Sequence, residues 1–130
     1  MAKVVLDASA ILALLQKEPG HELVRASLRS EDCMITTANL AEVAAKLQQA
    51  LQDMAKVRKL LDVPNLTVRP VTEEDAYKAA ELIVPGRPMG LSLGDRVCLA
   101  AGILEGAVVL TTDQAWARLG KEGPTVRLAR

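Results

Sequence analysis

The sequence predicts an α/β fold, a three-layer α/β/α sandwich with a mainly parallel central sheet of four to five short strands. Short apolar runs alternate with longer segments of helical periodicity along the chain, which is the pattern of repeated strand–helix units. The short runs are apolar on both sides, as expected for strands that helices cover on both faces. The chain has 130 residues, half of them apolar, so we expect a single domain over residues 1–130 with one buried core.

The strands are predicted from short runs of apolar and β-branched residues. They are residues 3–6, 33–36, 66–69 and 107–110, with 125–127 as a candidate edge strand. Capping residues mark several helix starts between them. Ser9 is predicted to cap a helix that runs to Lys17, and Ser92 a helix that ends at about Glu105. The other helices are predicted at residues 21–29, 39–51, 53–61, 72–84 and 114–119, with residues 85–90 as a loop.

Composition and charge exclude some classes of protein and leave others open. The 16 basic residues balance 16 acidic ones, so the basic surplus typical of nucleic-acid-binding proteins is absent. If four acids belong to one metal site, however, the other 12 acids are outnumbered by the 16 basic residues. The net charge therefore neither supports nor excludes nucleic-acid binding. One Tyr, one Trp and no Phe nearly exclude aromatic platforms for base stacking. We find no signal-peptide pattern and no run near the ~20 apolar residues of a membrane span, so we expect a cytoplasmic protein.

The cysteines and the histidine carry little functional signal. Cys33 and Cys98 lie in apolar runs without C-x-x-C spacing, which favours buried thiols in a reducing compartment. His21 follows Pro19 and Gly20 at a helix start, where a solvated surface side chain is favoured over a general base. One histidine and no thiolate pair give a zinc site little support.

Four acidic residues are predicted to meet at one edge of the sheet. In a parallel α/β sheet, the carboxyl ends of strands and the amino ends of the following helices share an edge, where ligands bind. Asp7 follows the first strand and Asp113 the fourth, while Glu42 and Asp95 lie in the first turns of helices. Carboxylates gathered in this way repel one another unless they are protonated or bind cations. Mg²⁺ or Mn²⁺ suits such oxygen ligands, and the site suits phosphodiester hydrolysis.

Each acid also has a structural interpretation. Asn39 and Glu42 fit a capping box, Asp95 could compensate a helix dipole, and Asp113 could cap the helix that follows it. Asp7 is the hardest to explain in this way, because burying a carboxylate after a buried strand costs free energy unless the group serves in binding or catalysis. Together, the four acids favour a site.

Four short motifs carry a family resemblance: residues 4–10, 38–43, 93–100 and 110–113. In order and spacing they resemble the acidic motifs of PIN-domain nucleases, most closely the VapC-type toxins of bacterial toxin–antitoxin pairs. The resemblance covers essentially the whole chain. It implies a parallel sheet flanked by helices, Mg²⁺ or Mn²⁺ as cofactor, endonucleolytic cutting of RNA, a homodimer and a small antitoxin that blocks the active site.

Motif matching assigns roles to individual residues. Asp7, Glu42, Asp95 and Asp113 would be the catalytic acids and metal ligands, and Ser9 and Thr112 polar residues beside the metal. Arg96 departs from the small residue usual after the third acid, and facing solvent is favoured for it over contacting phosphate. Basic side chains supply most sequence-independent affinity for nucleic acid, and the candidates here are Lys46, Arg87, Arg96 and Arg118. The apolar faces of residues 39–61 are expected to be mostly core and partly a dimer or antitoxin surface.

The leading hypothesis is therefore a metal-dependent endoribonuclease of the toxin type, and two alternatives remain. A phosphoacceptor signalling domain would have paired acids near the first strand and a lysine after a late strand. Here Asp7 stands alone and Asp113 lies where that lysine would be. A PIN-like binding or assembly module without catalysis is the second alternative, and the presence of all four acids gives no sign of such degeneration.

Overall fold

The structure is a computed structural model that describes residues 2–130. Its strands form one sheet in the order β3-β2-β1-β4-β5, and every neighbouring pair is parallel. The strands are β1 (Lys3–Leu6), β2 (Asp32–Thr36), β3 (Leu66–Arg69), β4 (Val108–Thr111) and β5 (Val126–Leu128). The predicted α/β class with a parallel sheet is confirmed, and the candidate edge strand is present.

Helices connect the strands and cover both faces of the sheet. They are α1 (Ala8–Gln16), α2 (His21–Ser30), α3 (Thr37–Leu51), α4 (Met54–Leu60), α5 (Glu73–Glu81) and α6 (Leu93–Glu105). Two further segments are 3₁₀-helical, Arg87–Met89 and Gln114–Glu122, and the second is broken at Gly120, where φ is 54°. Within residues 2–130, no helix has both the length and the apolar character needed to cross a membrane.

The alternation of side chains along the strands divides the core into two layers. Val4 and Leu6 of β1 pack with residues of α1, α2 and α3 on one face. Val5, between them, packs with residues of α6 on the other face. All three side chains are fully buried. The predicted three-layer arrangement is thus confirmed, and it explains why the strands are apolar on both sides.

Two helices begin earlier than the sequence predicts. Ser9 was expected to cap α1, but this prediction is wrong because Asp7 is the N-cap and its Oδ1 accepts a hydrogen bond from the Ala8 amide at 2.8 Å. Similarly, α3 begins at Thr37, because the Thr36 hydroxyl accepts a hydrogen bond from the Asn39 amide at 3.1 Å. Asn39 therefore lies inside the helix and does not cap it.

Of the later helices, α6 agrees with the prediction and α5 ends earlier than predicted. Ser92 caps α6, as predicted, and Gly106 ends it with φ of 60°. By contrast, α5 ends at Glu81, before the predicted end at Val84. The residues after Glu81 form turns that lead into the 3₁₀ segment Arg87–Met89.

Both cysteines are buried and free, in agreement with the predicted buried thiols. Burial raises the pKa of Cys33 to about 11. Burial also raises the pKa of Cys98 well above its ordinary value, and the nearby charges of Asp7, Asp95 and Glu42 raise it further. The thiol of Cys98 therefore lies within the electrostatic field of three acids that the sequence singled out.

Candidate active site

A cavity of about 420 Å³ lies at the carboxyl-terminal edge of β1 and β4. All four acids singled out by the sequence line it, and each comes from a different segment of the chain: Asp7, Glu42, Asp95 and Asp113. The parallel topology explains the convergence, because strand ends and helix starts share this edge. The structure thus brings the four carboxylates together, while their roles in catalysis and metal binding remain predictions.

Asp7 is the most deeply buried of these acids, with 5% of its surface exposed. Its Oδ2 accepts hydrogen bonds from the hydroxyls of Ser9 at 2.7 Å and Thr111 at 2.9 Å. Burial raises the pKa of Asp7 above its ordinary value, and the charge of Asp95 adds to this effect. The hydrogen bonds from Ser9, Thr111 and the Ala8 amide oppose the rise only in part. A bound cation would relieve this cost of burying the charged carboxylate.

Thr111 is a site residue that the sequence reasoning missed in favour of Thr112. Thr112 lines the cavity, and its backbone N–H donates to Ser9 Oγ at 3.1 Å. Thr111, in contrast, is fully buried, and its hydroxyl both donates to Asp7 and accepts from the Asp113 amide at 3.1 Å. The pairing of Leu6 with Leu110 makes Asp7 and Thr111 neighbours across the sheet. That register was the signal that could have identified Thr111.

Glu42 reaches the cavity from the surface of α3 and is tied to α6 through Asn39. The buried side-chain amide of Asn39 donates from Nδ2 to Glu42 Oε1 at 2.9 Å and to the Gly94 carbonyl at 3.2 Å. The Glu42 carboxylate fills the space beside Gly94, so a Cβ at position 94 would collide with Glu42 Oε1. Asn39 is the second site residue that the sequence reasoning missed, since it was interpreted there as a helix cap.

Asp95 and Asp113 each cap a helix as well as line the cavity. Asp95 Oδ2 accepts a hydrogen bond from the Ser92 amide at 2.9 Å, and Ser92 Oγ accepts one from the Asp95 amide at 3.1 Å, which completes a capping box. Asp113 Oδ1 accepts a hydrogen bond from the Ala115 amide at 3.0 Å. Asp113 therefore caps the helix that follows it, as its structural interpretation predicted, while Asp95 forms a capping box where dipole compensation was predicted. Each cap uses one of two carboxylate oxygens, which leaves a site role open.

The rest of the cavity wall is mixed in character. Leu12 and Trp116 contribute apolar surface, and Trp116 is 1% exposed, so its side chain packs within the core. Lys46 is the positively charged residue among those that line the cavity. With four carboxylates around it, a single ammonium group leaves an excess of negative charge in the cavity. A polyanionic substrate would be repelled until cations bind.

The other candidate phosphate contacts lie outside the cavity lining. Arg96 donates from Nη1 to the Ala79 carbonyl at 3.3 Å, so its guanidinium packs against α5. Arg87 is exposed in the short 3₁₀ segment after α5, and Arg118 is exposed in the segment after Asp113. Of the four basic candidates, the structure places Lys46 at the cavity.

The carboxylates suit a hard divalent cation in chemistry, although their present conformations do not enclose one. Within residues 2–130, no three acidic, histidine or cysteine side chains are clustered tightly enough to hold a metal ion. Mg²⁺ usually keeps several waters and is bound through one or two carboxylates. Four carboxylates around one cavity therefore offer more oxygen ligands than such a site requires. The donor set fits Mg²⁺ or Mn²⁺ on this ground.

The chain belongs to the PIN domain family, whose sequence profile matches residues 4–122. No curated protein shows significant sequence similarity to it. Solved toxin–antitoxin structures share its fold, as the resemblance implied. VapBC from Salmonella typhimurium, solved with DNA, has a TM-score of 0.78 at 18% identity and matches over 100% of both chains.

Two further structures have the same fold. VapBC2 from Rickettsia felis, bound to a DNA fragment from its promoter, has a TM-score of 0.76 at 15% identity, over 97% of this chain and 98% of that one. VapC20 from Mycobacterium tuberculosis, described as a Sarcin-Ricin loop cleaving toxin, has a TM-score of 0.72 at 18% identity, over 90% of this chain and 95% of that one. The likeness is one of fold along nearly the whole chain.

Proposed function

We propose that the protein is a Mg²⁺- or Mn²⁺-dependent endoribonuclease and the toxin of a type II toxin–antitoxin pair, acting in the cytoplasm. The observation that carries the proposal is the convergence of four carboxylates from four chain segments on one cavity. Membership of the PIN family supports a nuclease. The similar fold of VapC20, a toxin that cleaves the Sarcin-Ricin loop, supports RNA as the substrate class.

In this proposal Asp7, Glu42, Asp95 and Asp113 hold the cation. When bound, a divalent cation in such a site polarises a phosphodiester and makes an attacking water more acidic. The protein supplies orientation, because the hydroxyls of Ser9 and Thr111 fix the Asp7 carboxylate through hydrogen bonds to the same oxygen. Lys46 provides a positive charge on the cavity wall that can face a substrate phosphate.

The partners follow from the same comparisons. The Salmonella and Rickettsia structures with this fold are toxin–antitoxin complexes, which supports a small antitoxin as the partner of this chain. We propose in addition that the chain acts as a homodimer and as one nuclease domain over its full length. An antitoxin that occupies the carboxylate cavity would exclude RNA from it.

The direct test is cleavage of RNA by the purified protein freed of any antitoxin. We expect cutting with Mg²⁺ or Mn²⁺ that stops when a chelator is added, and products with a 5′-phosphate and a 3′-hydroxyl. Asp7→Asn should abolish cutting while the protein stays folded, as judged by circular dichroism. Asp32→Asn makes the same chemical change at the exposed, opposite end of β2 and should leave cutting intact.

Two results would contradict the proposal. Full activity of Asp7→Asn would show that the carboxylate cavity is not the active site. Binding of RNA or an antitoxin without any metal-dependent cleavage would favour the alternative of a PIN-like binding module. In that case calorimetry should also detect no Mg²⁺ or Mn²⁺ site that depends on Asp7.

A further inference from the structure

Asn39 is a fully buried polar residue whose side chain joins three parts of the site. Its Oδ1 accepts a hydrogen bond from the Thr36 hydroxyl at 2.6 Å. Its Nδ2 donates both to Glu42 Oε1 at 2.9 Å and to the Gly94 carbonyl at 3.2 Å. Because Thr36 occupies the oxygen of the amide, the nitrogen must face Glu42 and Gly94. The amide thus has one orientation, which presents two donors to the gap between α3 and α6.

Gly94 provides the second half of this arrangement. A Cβ at position 94 would collide with Glu42 Oε1 and its carboxyl carbon. The carboxylate can therefore rest against the first turn of α6 only because residue 94 has no side chain. The backbone of Gly94 does not have a positive φ, so the need for glycine here comes from the space that Glu42 occupies.

Glu42 itself lies on an exposed part of α3, where a glutamate side chain ordinarily samples many rotamers. The Asn39 donor and the space at Gly94 together hold its carboxylate beside the first turn of α6, next to the residue Asp95 that also lines the cavity. Hydrogen bonds from outer groups to a ligating carboxylate fix its orientation, and their loss typically weakens metal binding.

We propose that Asn39 and Gly94 position the Glu42 carboxylate for cation binding, so that Asn39 is a positioning residue that acts through Glu42. The inference rests on the proposed function, because it concerns the same cation site. It adds a specific dependence: the affinity of the site for its cation is set in part by a contact between α3 and α6. Neither Asn39 nor Gly94 contributes a carboxylate of its own.

The test measures Mn²⁺ affinity by calorimetry in the full-length protein without RNA. Asn39→Ala should weaken Mn²⁺ binding by about tenfold, the lower end of the range for outer partners of metal ligands. Gly94→Ala should weaken it as well, although alanine favours helix formation over glycine. This second variant keeps the test decisive if Asn39→Ala folds poorly, because its Cβ meets the movable end of Glu42. Gln49→Ala, at an exposed position of α3, is the control and should bind as wild type does.

A double-mutant cycle with Glu42→Gln separates positioning from a purely structural role. If Asn39 acts through Glu42, Asn39→Ala should leave Mn²⁺ affinity unchanged in the Glu42→Gln background, while it still lowers the melting temperature. An equal loss of affinity in both backgrounds would overturn the inference. So would a Glu42-dependent Mn²⁺ site that neither variant affects, in which case the proposed function would stand. A wild-type protein without any Mn²⁺ site would overturn both.

Discussion

Replacing Thr111 by valine tests how the protein tolerates a nearly buried carboxylate at Asp7. Valine has nearly the same shape as threonine, so the change removes a hydroxyl and leaves the packing almost intact. That hydroxyl donates to Asp7 Oδ2 at 2.9 Å and accepts from the Asp113 amide at 3.1 Å. Thr111 is fully buried and Asp7 is 5% exposed, so water cannot easily replace the lost bonds.

The size of the effect follows from these contacts. A hydrogen bond to a charged group contributes roughly 1.5–3 kcal/mol and a neutral one about 1 kcal/mol. We expect Thr111→Val, which removes both bonds, to lower the free energy of unfolding by about 3 kcal/mol while Asp7 is charged and by about 2 kcal/mol once Asp7 is protonated.

The pH dependence has a definite sign. Burial raises the folded-state pKa of Asp7 above its ordinary value of 3.8, so the folded state binds more protons than the unfolded state between the two pKa values. The contribution of Asp7 to stability therefore falls as the pH rises from the unfolded pKa through the folded one. Loss of the Thr111 bond raises the folded pKa further, so the gap between wild type and Thr111→Val should widen with increasing pH.

Urea unfolding at pH 4.5 and pH 7.5, in the presence of a chelator, measures this gap. Thr67→Val is the matched control, because Thr67 is exposed on β3 and the same change there should stay within about 0.5 kcal/mol. A loss for Thr111→Val that is below 0.5 kcal/mol, or the same at both pH values, would refute this account of Asp7.

Two further predictions concern residues outside the cavity lining. Arg69→Met should lower the free energy of unfolding by about 3 kcal/mol, because the fully buried Asp75 loses a bidentate partner at 2.6 and 2.9 Å. Burial acts to raise the pKa of Asp75, but the hydrogen bonds from Arg69 and Thr72 outweigh it and the pKa is lowered. The loss of stability should therefore shrink as the pH falls through the lowered folded-state pKa of Asp75. Urea unfolding measures both effects, with the exposed Arg58→Met as control, and a loss below 1 kcal/mol would contradict the prediction. Cys98 should resist alkylation by iodoacetamide at pH 8 until urea unfolds the protein, because it is fully buried and its pKa is raised; rapid labelling in the native state, detected by mass spectrometry, would show that the core opens locally.

The sequence was sufficient to predict the edge of the sheet at which the acids meet. Asp7 directly follows β1 and Asp113 lies two residues after the end of β4, both strands being strongly apolar, and Ser92 marks the start of α6 unambiguously. In a parallel sheet these positions have little freedom, because strand ends and helix starts share one edge. The general location of the cavity followed from topology alone.

The contacts between the segments could not be predicted in the same way. Thr36 and Asn39 are both good capping residues, and the choice of Thr36 depends on where β2 ends. Thr111 and Thr112 are adjacent, and the strand register decides which hydroxyl meets Asp7. The contact from Asn39 to Gly94 joins residues 55 positions apart, and it depends on how closely α3 approaches α6. Local patterns carry no information about such distances.

The same cavity offers a direct measurement of cation binding, because it is lined by Trp116, the single tryptophan of the chain. Titration with Mn²⁺, a paramagnetic ion, should quench the Trp116 fluorescence saturably, and Mg²⁺ should reverse the quenching by competition. Asp7→Asn and Asp95→Asn should abolish the saturable phase, and Asp32→Asn should retain it. Quenching that never saturates, or that is undiminished in Asp7→Asn and Asp95→Asn, would contradict the claim that these carboxylates share a divalent cation.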